Sequence, residues 1–145
     1  MDRRTLDAMS DFTLHPQLAA DTCLVTSLPL CECLLMNDSR FCWLILVPRL
    51  PGLRDLHEIP PAHRGQVFAE IDAASRALAS ASAPYKINVA ALGNQVEQLH
   101  IHVIARHRDD PAWPNPVWGS GTPAPYSARD RQALSDALRA ELAPG

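Results

Sequence analysis

The tract QLHIHVIAR, Gln98 to Arg106, alternates apolar side chains with groups that donate or accept hydrogen bonds. Residues two apart in a strand share a face. The tract therefore predicts a strand with Leu99, Ile101 and Val103 facing a core. Gln98, His100 and His102 form a polar row on the opposite side. Such a strand requires a sheet that buries one face and leaves the imidazoles of the other face something to do.

The neighbouring segments supply that sheet. CLVTSLPLCECLLMND reads as extended structure interrupted at Pro29. Leu30 to Met36 is nearly continuous in apolar residues, as in a strand covered on both sides. NDSR, residues 37–40, is turn chemistry, and FCWLILVPR returns as a second strand that Pro48 ends. A Pro-rich loop follows, then a helix from near Pro61 to near Pro84 with Val67, Ile71, Ala74 and Leu78 along one stripe. YKINVAAL is a strand, GNQ a tight turn in which Gly93 is free to take positive φ, and VEQLHIHVIAR the next strand. Residues 108–126 are Pro-rich and irregular and hold Trp113 and Trp118. SARDRQALSDALRAEL is a C-terminal helix over about 127–142, capped by Ser127, with Asp130 in a variant of the capping box. A short helix fits after Pro16. The predicted order β-β-α-β-β-α, over a single domain spanning 1–145, is α+β: an antiparallel sheet with a long helix and a C-terminal helix set to one side.

A chain of 145 residues, 47% hydrophobic and 20% charged, suits one globular domain. Its net charge of −3 gives no electrostatic case for nucleic acid. The longest apolar run, Phe41 to Val47, is strand-sized, and MDRRTLDAMSDF has no hydrophobic signal region. These features predict a cytoplasmic protein without a membrane partner. Cys23, Cys31, Cys33 and Cys42 form no C-x-x-C pair and read as reduced thiols in or near apolar runs.

The polar row admits four chemistries. Paired histidines can be hydrogen-bonded core groups. They can hold Zn²⁺, although no third ligand lies on their face, since Glu97 points to the other. A neutral imidazole can act as a nucleophile on phosphorus or an acyl carbon. The imidazoles, with the amides of the Gly93–Asn94 turn, can also bind phosphate without turnover. The sequence requires no cofactor and leaves a divalent metal undecided. The other histidines have plainer readings. His57 is a surface-loop residue, His63 faces solvent and His15 makes a local turn contact. Arg106 and His107 leave the strand, and Lys86 is an exposed charge.

QLHIHVIAR resembles the His-φ-His-φ-His-φ-φ signature of the histidine-triad (HIT) family, where φ is apolar. LLMND…LILVPR, LRDLHEIPP, the long helix and LGNQV follow in the HIT order. The chain also resembles a small bacterial branch in which LGNxVxQLHxHVIAR recurs, with Gln first. The resemblance implies a HIT-like fold, a homodimer and a small-molecule nucleotide as partner. It also implies a nucleotide hydrolase or nucleotidyl transferase, similar to diadenosine polyphosphate hydrolases, working through a nucleotidyl-histidine intermediate. His100 matches the nucleophile and His102 the phosphate-binding histidine. Gly93 and Asn94 match the phosphate turn, and Asn37 matches an asparagine near the nucleotide. Two positions depart. Gln98 replaces the first histidine and cannot deliver a proton at neutral pH, which favours a leaving group already stable as an anion. Trp43 stands where the family often has a histidine behind the active site. Both departures keep open a nucleotide-binding protein with little turnover.

Overall fold

The computed structural model describes residues 2–143; residues 1, 144 and 145, at the ends of the expected domain, lie outside the described residues. The chain runs α1 (Arg3–Ser10), α2 (Pro16–Asp21), β1 (Thr22–Ser27), β2 (Cys31–Met36), β3 (Cys42–Pro48), a 3-10 turn (Leu56–Glu58), α3 (Pro61–Ser82), β4 (Lys86–Ala90), β5 (Ile101–Arg106) and α4 (Ala128–Leu142). The strands form one antiparallel sheet in the order β1-β2-β3-β5-β4. This is the expected α+β architecture with the long and C-terminal helices in place.

Three expectations need correction. Residues before Pro29 form a strand of their own, so the sheet has five strands, with β1 at one edge. Its only buried residue is Val25, and its register shifts between Leu24 and Thr26. Helix α1 was not foreseen. The strand predicted from Val96 begins only at Ile101, because Leu99 N–H leaves the ladder and donates to Leu53 O at 2.9 Å.

The sheet separates two apolar layers. One combines Leu44, Leu46, Ile101 and Val103 with Val67, Ala74 and Leu78 of α3 and Leu138 of α4. Removing a side chain as fully enclosed as Leu138 costs about 2–5 kcal/mol. The other layer holds Trp43, Ile45 and Ile104 with Phe41, Ala112 and Val117. Helix α3 starts on Pro61 and ends at Ala83, whose left-handed φ of 46° closes the last turn. Its buried face also carries Glu70, whose carboxylate accepts the N–H groups of Leu30 and Cys31. The β1–β2 corner thereby finds acceptors for two buried donors. In α4, Ser127 Oγ accepts Asp130 N–H at 3.1 Å, one half of the expected box.

The cysteines are free thiols, Cys31 and Cys33 buried, Cys23 and Cys42 half-buried. Burial pushes Cys42 up to about 11 and Cys33 to about 12, so neither is a thiolate at neutral pH. Among the described residues no helix is long and apolar enough to cross a membrane.

Candidate functional site

His102 lies in β5 opposite Ile45 of β3 and Ala90 of β4, and His100 stands just before the strand. The alternation holds here: Leu99, Ile101 and Val103 enter the helix-covered layer, while the two imidazoles share the other face with ring centroids 4.9 Å apart. Both side chains are buried on their flanks. Among the described residues their Nε2 atoms have no protein partner, yet no fully enclosed side-chain nitrogen or oxygen lacks one. Both Nε2 atoms are therefore open to the space in front of them.

That space is a cavity of about 660 Å³, of the size of a small-ligand site. Gly93 and Asn94 line it, and Gly93 has the positive φ, 73°, that its turn requires. A Cβ there would lie 3.3 Å from Val96 O. In the other walls, His15 and Gln17 come from the start of α2, Asp38 and Arg40 from the β2–β3 turn, and Trp118 to Gly121 and Pro123 from the irregular segment.

His100 is oriented by its own chain. Its Nδ1 is 2.7 Å from Gln98 O. A carbonyl only accepts, so Nδ1 carries a proton, and in the neutral ring Nε2 holds its lone pair toward the cavity. His102 is held differently: Trp43 Nε1–H donates to its Nδ1 at 3.0 Å. Burial, with His100 beside it, pushes the pKa of His102 down to about 4, so it is neutral at pH 7. Trp118 packs edge-on against it at 5.0 Å.

Two expected site residues lie elsewhere. Gln98 is not in the cavity wall. Its carboxamide accepts His15 N–H and donates to Thr13 O, both at 2.8 Å, which ties the entry of α2 to the loop before β5. The polar row therefore contains two groups, and Gln98 serves the site through its backbone carbonyl. Asn37 also misses the cavity, because its Oδ1 accepts Tyr126 N–H at 2.9 Å. Its neighbour Asp38 faces the cavity instead. Burial pushes the Asp38 carboxyl up, but the Arg40 side chain and the Ala124 and Arg40 amides outweigh this and hold it below the usual range.

The remaining candidates are structural. Arg106 is 1% exposed and bonds Asp110, Asn88 and Asn115 O; His107 reaches Ser82 O at 2.8 Å. His15 Nδ1 caps α2 by accepting Gln17 N–H. His57 and Lys86 are exposed, whereas His63 is half-buried against Thr5, contrary to expectation. Trp113 packs on Tyr85 and Arg106, away from the cavity. Among the described residues no three His, Cys, Asp or Glu side chains converge so as to hold a metal ion.

A HIT domain model matches residues 17–109. Among solved structures, a histidine triad protein from Marinobacter aquaeolei VT8 is 44% identical with a TM-score of 0.87, covering 90% of this chain and 96% of its own. One from Bradyrhizobium japonicum is 40% identical at 0.88, covering 90% and 98%. One from Sinorhizobium meliloti 1021 is 38% identical at 0.89, covering 92% and 98%. Among curated proteins no sequence match was found. A family match over more than half the chain, and relatives alike over nearly all of it, fit the paired imidazoles at the start of β5: the chain belongs to the histidine-triad (HIT) family, a superfamily that includes nucleotide hydrolases and nucleotidyl transferases.

Proposed function

We propose that the protein cleaves a nucleotide phosphoanhydride, as hydrolase or nucleotidyl transferase, with His100 as nucleophile. The observation that carries this reading is the 2.7 Å contact from His100 Nδ1 to Gln98 O, which leaves Nε2 as a lone pair facing the cavity. Nε2 attacks the α-phosphorus and the bond from phosphorus to the bridging oxygen breaks, so the remaining polyphosphate departs as an anion. Water or another acceptor then attacks the nucleotidyl-histidine, the phosphorus–nitrogen bond breaks, and His100 is restored. Two easier steps replace one hard one. His102 and the Gly93–Asn94 turn bind phosphoryl oxygens. The Gln98 carboxamide is committed to Thr13 and His15, so it delivers no proton, and a leaving group stable as an anion fits best. Diadenosine polyphosphates have such a leaving group.

A nucleotide-binding protein with little turnover is the second reading. It is favoured by the two departures from the family pattern: the Gln98 carboxamide is committed to His15 and Thr13, and Trp43 stands where the family often has a histidine. Homodimerisation through the β4 edge is part of the proposal. That edge carries the exposed Val89, and light scattering reads the mass in solution.

Intact-mass spectrometry after mixing with diadenosine tetraphosphate, quenched without acid, tests the chemistry. An adenylyl adduct on the wild type that is absent from His100→Asn supports the nucleophile. If neither adduct nor adenosine monophosphate forms, the hydrolase reading for that substrate falls and the binding reading leads.

A further inference from the structure

We infer that Trp43 is a positioning residue that holds His102 in the neutral tautomer protonated at Nε2, so that His102 presents a permanent N–H donor to a phosphoryl group in front of His100. The inference rests on the proposed phosphate chemistry of this cavity. It starts from what an indole can do. Its Nε1–H donates and has no lone pair to accept with. At 3.0 Å from that donor, His102 Nδ1 has to be the acceptor. A neutral imidazole has one proton, and with Nδ1 accepting, that proton is on Nε2. An imidazolium would carry a second N–H at Nδ1, pointed directly at the indole N–H. Protonation of His102 is therefore opposed by a specific contact as well as by burial.

The indole is not free to withdraw. Trp43 is 6% exposed and lies in β3 opposite Ile104, so it reaches His102 as a diagonal cross-strand neighbour. Phe41 and Trp118 meet it edge-on at 6.3 and 6.2 Å. A histidine at position 43 could donate or accept and would change with pH, whereas tryptophan cannot. The other ionisable groups of the cavity leave this pair alone: Asp38 and Arg40 bind each other, Asp21 accepts from Gln17, His15 caps α2 and His100 bonds Gln98 O. The two imidazoles are thus fixed in opposite tautomers, one offering a lone pair and the other a proton to the same space.

Long-range ¹H–¹⁵N correlation spectra of the wild type and of Trp43→Phe, recorded without ligand from about pH 5 to pH 8, test this. The expected wild-type spectrum has His102 unprotonated at Nδ1 and protonated at Nε2 throughout. In Trp43→Phe, His102 is expected to populate both tautomers and to titrate about one pH unit or more higher. Binding selects the Nε2-protonated form, so adenosine monophosphate should bind the variant about twofold more weakly at pH 8, where the two neutral tautomers share the population. A wild-type His102 protonated at Nδ1 overturns the inference, as does a variant with the wild-type tautomer, titration and affinity. If Trp43→Phe does not fold, the wild-type spectrum decides alone. The spectra need no turnover. A locked His102 in a protein that forms no adduct would sink the catalytic reading and leave this inference standing, now as a device for binding.

Discussion

Strand β5 buries polar groups at both ends. At the C-terminal end, Arg106 makes a bidentate ion pair with Asp110 and further bonds to Asn88 and Asn115 O. At the N-terminal end, His100 and His102 each make one protein hydrogen bond and leave one ring nitrogen open. The same strand and similar burial thus give opposite results. A guanidinium whose bonding capacity is largely used internally is a structural tie. An imidazole satisfied on one side only is a chemical group held in readiness. Burial of a charged or polar side chain therefore does not mark a site; unfilled bonding capacity facing a cavity does.

If that distinction is right, substitutions at the two ends must fail in different ways. His100→Asn should lower turnover of a diadenosine polyphosphate by about 10³-fold or more while leaving the melting temperature nearly unchanged. A small effect on turnover, read by steady-state product analysis, would break the comparison. Arg106→Met strands the buried Asp110 carboxylate and should cost about 3–5 kcal/mol in urea unfolding. Activity per folded molecule should survive it. The comparison fails if Arg106→Met abolishes activity without loss of stability.

Acid should weaken the histidine end. An unfolded histidine titrates near 6.5, and folded His102 titrates at about 4. Between those values the unfolded chain holds a proton that the folded chain lacks. Stability is therefore complete above pH 6.5 and falls as pH drops toward 4, by an amount of order 3 kcal/mol. His102→Gln should remove most of that slope in urea midpoints measured at pH 7, 5.5 and 4.5. The smallest effect is expected at Gln98. Gln98→Ala leaves Thr13 O and His15 N–H without their partner and should cost about 1 kcal/mol. Adduct formation should persist, because the backbone carbonyl that orients His100 remains.

The sequence made some of these residues legible and hid others for physical reasons. His100 and His102 stood out because strand alternation is a local rule, and local backbone geometry enforces it. The rule stopped two residues early: Gln98 lies before the strand, where a bond from Leu99 to the distant Leu53 redirects the chain. Asn37 and Asp38 show the same limit at closer range. Which of two adjacent turn residues faces the cavity is decided by Tyr126, 89 positions away, which claims Asn37. Strand β1 was read as extended but not counted as a strand of its own, because its register shift and single buried residue erase the alternation that marks β5. Arg40 gave no local signal, since its place in the wall depends on how the irregular segment docks. The helices α3 and α4 read clearly from their apolar stripes and their Pro and Ser starts, although the buried Glu70 was not anticipated.

That docked segment has a consequence for how the protein comes to bind anything. Residues 118–121 and 123 reach the cavity because Asn37, Asp38, Ser39 and Arg40 tether residues 120–126 from across the sequence. Contacts so distant in the chain close large loops, and their entropy must be met before they return any stability. The cavity is therefore not a property of the sheet alone. In any molecule whose tail has lifted from the hairpin, one wall is missing, and measured affinity is the intrinsic affinity multiplied by the docked fraction. A ligand that touches both walls would in turn hold the tail down, so protection of these tethers from hydrogen exchange would report occupancy from outside the reacting atoms.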